Sequence, residues 1–354
     1  MSCVKNALNP KRVHFNILSF VIVYFSLFFF VIIATLTFMR LWRGQMVVPE
    51  ARSSHRVPTL NGGALGVVLA VLGLLLYLQE PAGIVAMLLA ISPFVLAGGA
   101  GYLDDHHGLS GPMKLLLTAF AVLPLLMGLS QGVSVTLLSP THLPAWLTLL
   151  VVFLGLLWTV HLTNFMDGIN GLAVLQVLFM LLAAWLFRGY FNLSEVDIRF
   201  IVGVAVACVA FLPFNFPHAH SFVGDTGSLF FGVLMAWIVV VMMVNHPNGL
   251  WVFLCLFSMF WVDATLTLIR RLLRQKSIFE AHREHAYQHL ANEKWQSHTK
   301  ATLFIMLINV VWLLPMAYAV LQSAFPLLWL LIAIIPVIIY TLYLQAGMAC
   351  FTKK

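Results

Sequence analysis

Apolar residues fill this chain in long unbroken stretches, divided by short polar segments, instead of recurring with the period of an amphipathic helix or strand. A stretch of about 17 or more apolar residues has the reach of a membrane-crossing helix. Eleven such stretches lie at 17–39, 62–79, 82–102, 113–130, 145–162, 171–187, 199–214, 227–244, 250–268, 302–321 and 326–345. They predict an all-α polytopic transmembrane helical bundle of about eleven spans. No internal repeat or low-complexity linker interrupts them, so residues 1–354 are expected to form a single integral membrane domain. The first stretch is too long for a signal-peptide core and is followed by Arg40 and Arg43, which predicts a retained anchor.

Composition supports the same reading. The chain is 62% hydrophobic and 9% charged, with a mean hydropathy of +0.98, too few charges to cover a soluble domain. The net charge of +7 sits in short segments between apolar runs, as orientation signals do, and nucleic-acid binding is not expected. With the N-terminus outside, 14 of the 19 Lys and Arg residues fall on the cytoplasmic side, although Lys5, Lys11 and Arg12 dissent. The expectation is therefore N-out/C-in. Cys3, Cys208, Cys255 and Cys350 show no paired spacing and read as reduced packing residues.

This sidedness places segments 40–61, 103–112, 163–170, 215–226 and 269–301 on the cytoplasmic face, and these hold most of the candidate chemistry. Asp104 and Asp105 end the third stretch; adjacent carboxylates at a membrane boundary repel unless a cation or proton intervenes. Asn164, Asp167 and Asn170 recur every third residue, a spacing that places them on one side of a helical turn. Asp225 precedes an apolar helix that Thr226 or Ser228 can cap, which leaves the carboxylate available. His282, His285 and His289 are spaced to share one helix face, beside Arg283. Helix capping or an ordinary solvated loop remains the competing reading for each cluster taken alone.

The fourth, sixth and eighth stretches begin directly after the acidic clusters, so three helix N-termini would point at one region and attract phosphate. Carboxylates there would repel the same phosphate unless a divalent cation bridges them, and oxygen donors favour Mg²⁺, with Mn²⁺ as the alternative.

Read in order from about residue 43 to 295, these segments resemble the polyprenyl-phosphate N-acetylhexosamine-1-phosphate transferases of the glycosyltransferase family 4 type. That family includes the peptidoglycan phospho-MurNAc-pentapeptide translocase and the enzymes that initiate O-antigen synthesis. Arg52-Ser-Ser-His55, Asn164-Phe-Met-Asp-Gly and the segment His282–His289 are most similar to the O-antigen branch. The resemblance implies that Asp104 and Asp105 are the family's acidic pair and that Asp167 and Asn170 belong to its second acidic loop. It also makes Asp225 a Mg²⁺ ligand, with Asp105 as the second expected ligand, and Asn215 a nucleotide contact. The catalytic expectation is Asp104, Asp105 and Asp167; His55, Asn164, Asn170, Asn215, His282, Arg283, His285 and His289 are the expected substrate contacts. Asn170 departs from the pattern, where many members carry Asp, and so does Asn61, where relatives often have Arg.

The activity so implied is Mg²⁺-dependent transfer of a HexNAc-1-phosphate from a UDP-sugar to undecaprenyl phosphate, releasing UMP, at the cytoplasmic face of a bacterial inner membrane. Asp104 is the expected base. The peptidoglycan translocase is the alternative within the class, and a secondary transporter of an anionic solute the alternative outside it. The sequence leaves the sugar undetermined and a homodimer open.

Overall fold

A computed structural model describes residues 17–41, 46–47, 58–78, 84–132, 144–277 and 282–349. Each of the eleven apolar stretches is helical. The helices are α1 (Ile17–Leu41), α2 (Leu65–Leu78), α3 (Ile84–His107), α4 (Gly111–Gly132), α5 (Ala145–Phe165), α6 (Leu172–Leu186), α7 (Glu195–Asn215) and α8 (Gly224–Asn245). They continue as α9 (Gly249–Leu256), α10 (Ser258–Leu273), the single turn α11 (Ala286–His289), α12 (His298–Ile308), α13 (Leu314–Gln322) and α14 (Pro326–Tyr343). A π-helical turn, Asn309–Leu313, joins α12 to α13 in one continuous rod.

Among the described residues, seven helices are long and apolar enough to cross a membrane singly, and α9 with α10 makes an eighth if the bent pair is one span. The helices that match the second and sixth stretches, and the part Gly111–Met127 of α4, are shorter, so length alone does not carry them across. The protein is an all-α, multi-span membrane bundle. Phe25 and Phe29 on α1 and Ile335 and Ile339 on α14 are exposed, as lipid-facing side chains should be.

At the centre stands α8, buried along most of its length and packed chiefly against α3 and α5. Glycines permit this closeness. A Cβ at Gly101 would strike the Asp225 carbonyl, and one at Gly232 would lie 2.6 Å from the Val160 oxygen. Both approaches need a bare backbone.

The stretch at 250–268 reads as one continuous span, but its helix bends by 73° between α9 and α10. A break frees carbonyls that must find donors in apolar surroundings. The buried Gln176 amide reaches the Leu256 oxygen at 3.4 Å and is itself held by Asn309 at 2.7 Å, while the Trp261 indole donates to the Leu254 oxygen at 2.8 Å.

One end of the bundle collects the C-terminal ends of α3, α5, α7 and α10 with the N-terminal ends of α4, α6, α8 and α11. A two-residue ribbon, β1 (Met46–Val47) against β2 (Thr59–Leu60), covers part of that end. It is tied on by Phe222 N–H donating to the Leu60 oxygen at 2.8 Å and Gly63 N–H to the Phe222 oxygen at 2.9 Å. Cys208 and Cys255 are free and buried, as packing residues should be; Cys3 and Cys350 lie outside the described residues.

Candidate active site

The two adjacent aspartates at the end of α3 do different things. Asp105 turns into the protein and accepts four hydrogen bonds. Asn61 Nδ2 (2.8 Å) and Asp225 N–H (2.9 Å) reach Oδ1, and Thr226 N–H (2.9 Å) and Thr226 Oγ1 (2.7 Å) reach Oδ2. It therefore caps α8 from another helix, satisfying N–H groups that a helix start leaves unpaired. Thr226 and Ser228 do not cap α8, contrary to the sequence expectation: Thr226 donates to Asp105, and Ser228 accepts from Asn164 at 2.8 Å. Both Asp105 carboxylate oxygens are thus engaged within the protein.

Asp104 points the other way. Oδ1 accepts Leu109 N–H at 2.7 Å, and Oδ2 is ion-paired with Lys114 on the first turn of α4. Lys114 Nζ also stands 3.5 Å from Asp225 Oδ1, so one ammonium bridges carboxylates from α3 and α8. Asn164, in the last turn of α5, donates to the same Asp225 oxygen. The Asp225 carboxyl also meets that of Asp104 and borders the polar cavity.

Sequence reasoning passed over Lys114, although a signal was there. It is the sole Lys or Arg between Arg56 and Arg188, and it opens an apolar stretch just after the acidic pair.

The turn after α5 brings Asp167 to the same end. Burial among protein atoms, with the charges of Asp225 and Asp105 nearby, holds its carboxyl well above the usual range. Asn170 faces the same cavity but is engaged, donating to the Pro217 oxygen at 3.1 Å and meeting His298 Nδ1 at 3.1 Å. Asn215 is buried and clips two loops together: Oδ1 accepts Gly171 N–H at 3.0 Å, and Nδ2 donates to the Ser221 oxygen at 3.0 Å. The N–H groups of residues 171, 225 and 226, at the starts of α6 and α8, are thus taken by side chains.

The histidine segment is not one helix face. Residues 282–285 are non-helical, and the helix begins at Ala286. His282 and His285 stack with ring centroids 4.9 Å apart, whereas His289 is buried against Glu293 at 3.1 Å, away from the cavities. His289 as a substrate contact is therefore corrected. Asp263 fixes the segment: this buried carboxylate on α10 accepts Ala286 N–H at 2.9 Å and Tyr287 N–H at 3.0 Å, and lies 3.4 Å from His285 Nδ1. Asp263 was also legible in principle, as the one acidic residue between Asp225 and Glu280. The Tyr287 hydroxyl donates to the Phe165 oxygen at 2.9 Å, with burial and the charges of Asp263 and Asp167 pushing its pKa well up. His282 is pushed down to about 3 by burial and by the charges of His285 and Arg271, so its ring is neutral near pH 7. With Nδ1 facing the Glu284 N–H at 3.4 Å, the ring hydrogen sits on Nε2. His55 lies outside the described residues.

Two cavities meet here. A polar one of about 380 Å³ is lined by Asn164, Asp167, Asn170, Asp225, His282 and Arg283 among others. An apolar one of about 710 Å³ runs between α4, α5 and α10, lined by Leu115, Leu154, Leu157, Trp158 and Leu268, with Lys114 and His161 at its wall. Asn164 and His282 line both.

Among the described residues, no three His, Cys, Asp or Glu side chains converge as a closed metal cage. Mg²⁺ does not require one, because it is held through one or two carboxylates together with waters and substrate phosphates. The carboxyls of Asp225 and Asp167 are oxygen donors lining the polar cavity, and Lys114 is paired with Asp104 and stands near Asp225. This donor set fits a hard divalent cation at Asp225 and Asp167, while the Asp105 oxygens are held by hydrogen bonds to α8 and Asn61.

In this multi-span helical bundle, ionisable groups are gathered where a polar cavity meets an apolar one. Residues 84–243 match the model of glycosyl transferase family 4. The chain is 27% identical over 296 residues, covering 73% of each chain, to decaprenyl-phosphate N-acetylglucosaminephosphotransferase of Mycobacterium leprae (strain TN). It is 27% identical to phospho-N-acetylmuramoyl-pentapeptide-transferase of Clostridium perfringens (strain SM101 / Type A), covering 88% of this chain and 97% of the relative. It is likewise 27% identical to the probable undecaprenyl-phosphate N-acetylglucosaminyl 1-phosphate transferase of Bacillus subtilis (strain 168), covering 84% and 82%. Over residues 84–243 the chain is thus similar to glycosyl transferase family 4, and along most of its length to the polyprenyl-phosphate transferases that its motifs resemble.

Proposed function

We propose that this protein transfers a HexNAc-1-phosphate from a UDP-sugar to undecaprenyl phosphate, giving undecaprenyl-diphosphate-sugar and UMP. The observation that carries this reading is the junction of the two cavities. The polar cavity has the donors for a sugar nucleotide, the apolar cavity suits a polyprenyl chain, and Asp104, Lys114 and Asp225 stand between them.

In the reaction, an oxygen of the lipid phosphate attacks the sugar-bearing phosphorus of the donor. A new P–O bond forms there, the bond to the bridging oxygen breaks, and UMP leaves with that electron pair. Both reactants are anions, so the site must neutralise and align them. Lys114 reaches into the apolar cavity and meets the acceptor phosphate; Asp104 orients Lys114 and takes the proton of a protonated monoester. Asn164 holds Asp225 in place, and neutral His282 offers Nε2–H to a phosphate oxygen. A Mg²⁺ ion, held by Asp225 with Asp167 when bound, would offset charge on the diphosphate and on departing UMP.

The motifs favour initiation of O-antigen or related cell-surface polysaccharide over the peptidoglycan step. The basic segments favour a bacterial inner-membrane protein, N-out and C-in with about eleven spans, whose site faces the cytoplasm. The test is UMP release by the purified protein with Mg²⁺, undecaprenyl phosphate and a panel of UDP-HexNAc donors, beside Asp225→Asn. Lipid-dependent release that EDTA and the substitution abolish supports the reading; binding of donor without turnover in folded protein overturns it.

A further inference from the structure

A third hollow lies outside the site. It is an open trough of about 760 Å³ between the turn after α11 and the outer face of α12, lined by Lys294, Trp295, Lys300, Leu303, Phe304 and Leu307. Its height in the membrane follows from His298, which sits between the two lysines in sequence and bonds Asn170 at 3.1 Å. The lysines therefore stand at the site end of the bundle, where the apolar span begins.

The lining changes character along the helix. Lys300, Leu303, Phe304 and Leu307 follow the i, i+3, i+4, i+7 pattern of one helix face. The face runs from a cation at the helix start to Leu303 and Leu307, 52% and 58% exposed, about one and two turns deeper. Trp295 packs edge-on against Phe304, centroids 5.1 Å apart, and is partly exposed, as aromatic residues at a membrane interface are. Lys294 Nζ lies 5.0 Å from the centre of the Tyr343 ring, which positions the ammonium without neutralising it. Neither lysine makes an ion pair among the described residues, and the neighbouring Glu293 is turned away onto His289 at 3.1 Å. Two uncompensated ammonium groups above an exposed apolar helix face match one ligand chemistry: a phosphate-bearing head group with acyl chains beneath it.

We propose that this trough binds an anionic glycerophospholipid of the surrounding bilayer, its phosphate between Lys294 and Lys300 and its acyl chains along Leu303 and Leu307. The site is separate from the polar and apolar cavities and does not depend on the reaction assigned to them.

The test is native mass spectrometry of the full-length protein in a neutral maltoside detergent, titrated with dioleoyl phosphatidylglycerol or dioleoyl phosphatidylcholine. Wild-type protein should retain phosphatidylglycerol in preference to phosphatidylcholine. Lys294→Gln and Lys300→Gln should each weaken retention roughly fivefold, the effect of one basic residue at an anionic lipid surface, and the pair roughly 25-fold. Lys276→Gln, which removes an exposed charge on the same end, should leave it unchanged. Thermal melting verifies that the variants are folded, and the single substitutions carry the test if the double variant melts early. Equal retention of the two lipids, an unchanged double variant, or full displacement by inorganic phosphate would each overturn the proposal.

Discussion

Asp105 accepts the backbone N–H of Asp225 at 2.9 Å, so the helix that carries one aspartate of the cluster is capped by another. Gly101 makes the contact feasible by letting α3 and α8 touch along their backbones. The consequence is a division of labour between carboxylates that look equivalent in sequence. Asp105→Asn exchanges one acceptor oxygen for a donor facing N–H groups or Thr226, and should destabilise the fold by about 1–3 kcal/mol. Asp225→Asn removes negative charge from a crowded cluster and should leave the melting midpoint unchanged or higher while abolishing turnover. Thermal melting and UMP release, measured on both variants, check this opposition. Equal melting midpoints for the two variants would remove the capping role.

Lys114 bridges Asp104 and Asp225 from the wall of the apolar cavity, which predicts a split between its two substrates. Lys114→Gln should lower kcat/KM roughly 10²-fold, as loss of one charge-stabilising donor does. KM for the polyprenyl phosphate should rise while binding of the UDP-sugar changes little. Steady-state kinetics with each substrate varied in turn measures it; a rise confined to the nucleotide KM would move Lys114 to the other half of the site.

His282, depressed to about 3 in the folded protein, predicts a pH effect on stability. Between that value and the ordinary His pKa near 6.5, the unfolded chain holds a proton that the folded chain does not. Stability is therefore lost as pH falls below about 6.5, and His282→Gln should flatten that acid limb without altering the midpoint above pH 7. Melting curves from pH 4.5 to 7.5 (about two units below and one above the ordinary His value) give the comparison.

The helices were legible because each apolar run must bury its own backbone hydrogen bonds in lipid, whatever its neighbours do. The break between α9 and α10 was not, because the residues that accommodate it, Gln176 and Asn309, lie far away in sequence. Asp104, Asn164, Asp167 and Asp225 were found from charge and amide groups stranded beside apolar runs, and they do converge. Asp105 and Asn215 were found too, but their hydrogen bonds tie the site together: local spacing cannot tell a carboxylate that meets a ligand from one that caps a helix 120 residues away. His289 misled because a three-and-four spacing implies a shared face only if the whole segment is helical, and residues 282–285 are not. His289→Gln should accordingly keep near-normal activity where His282→Ala does not.

The apolar cavity between α4, α5 and α10 makes the final prediction, because it separates chain recognition from chemistry. Leu154 and Leu268 line it, whereas Lys114 and Asn164 lie at its polar end. Leu154→Trp adds bulk to a space of about 710 Å³ without touching the carboxylates. It should raise KM for undecaprenyl phosphate about tenfold, the scale on which a poorly fitted apolar pocket discriminates. A short-chain polyprenyl phosphate that ends before the obstruction should be used as well by the variant as by the wild type. Kinetics with acceptors of graded length read this directly: equal losses for short and long acceptors would place the lipid chain elsewhere, and a loss that grows with chain length would trace its path along α5.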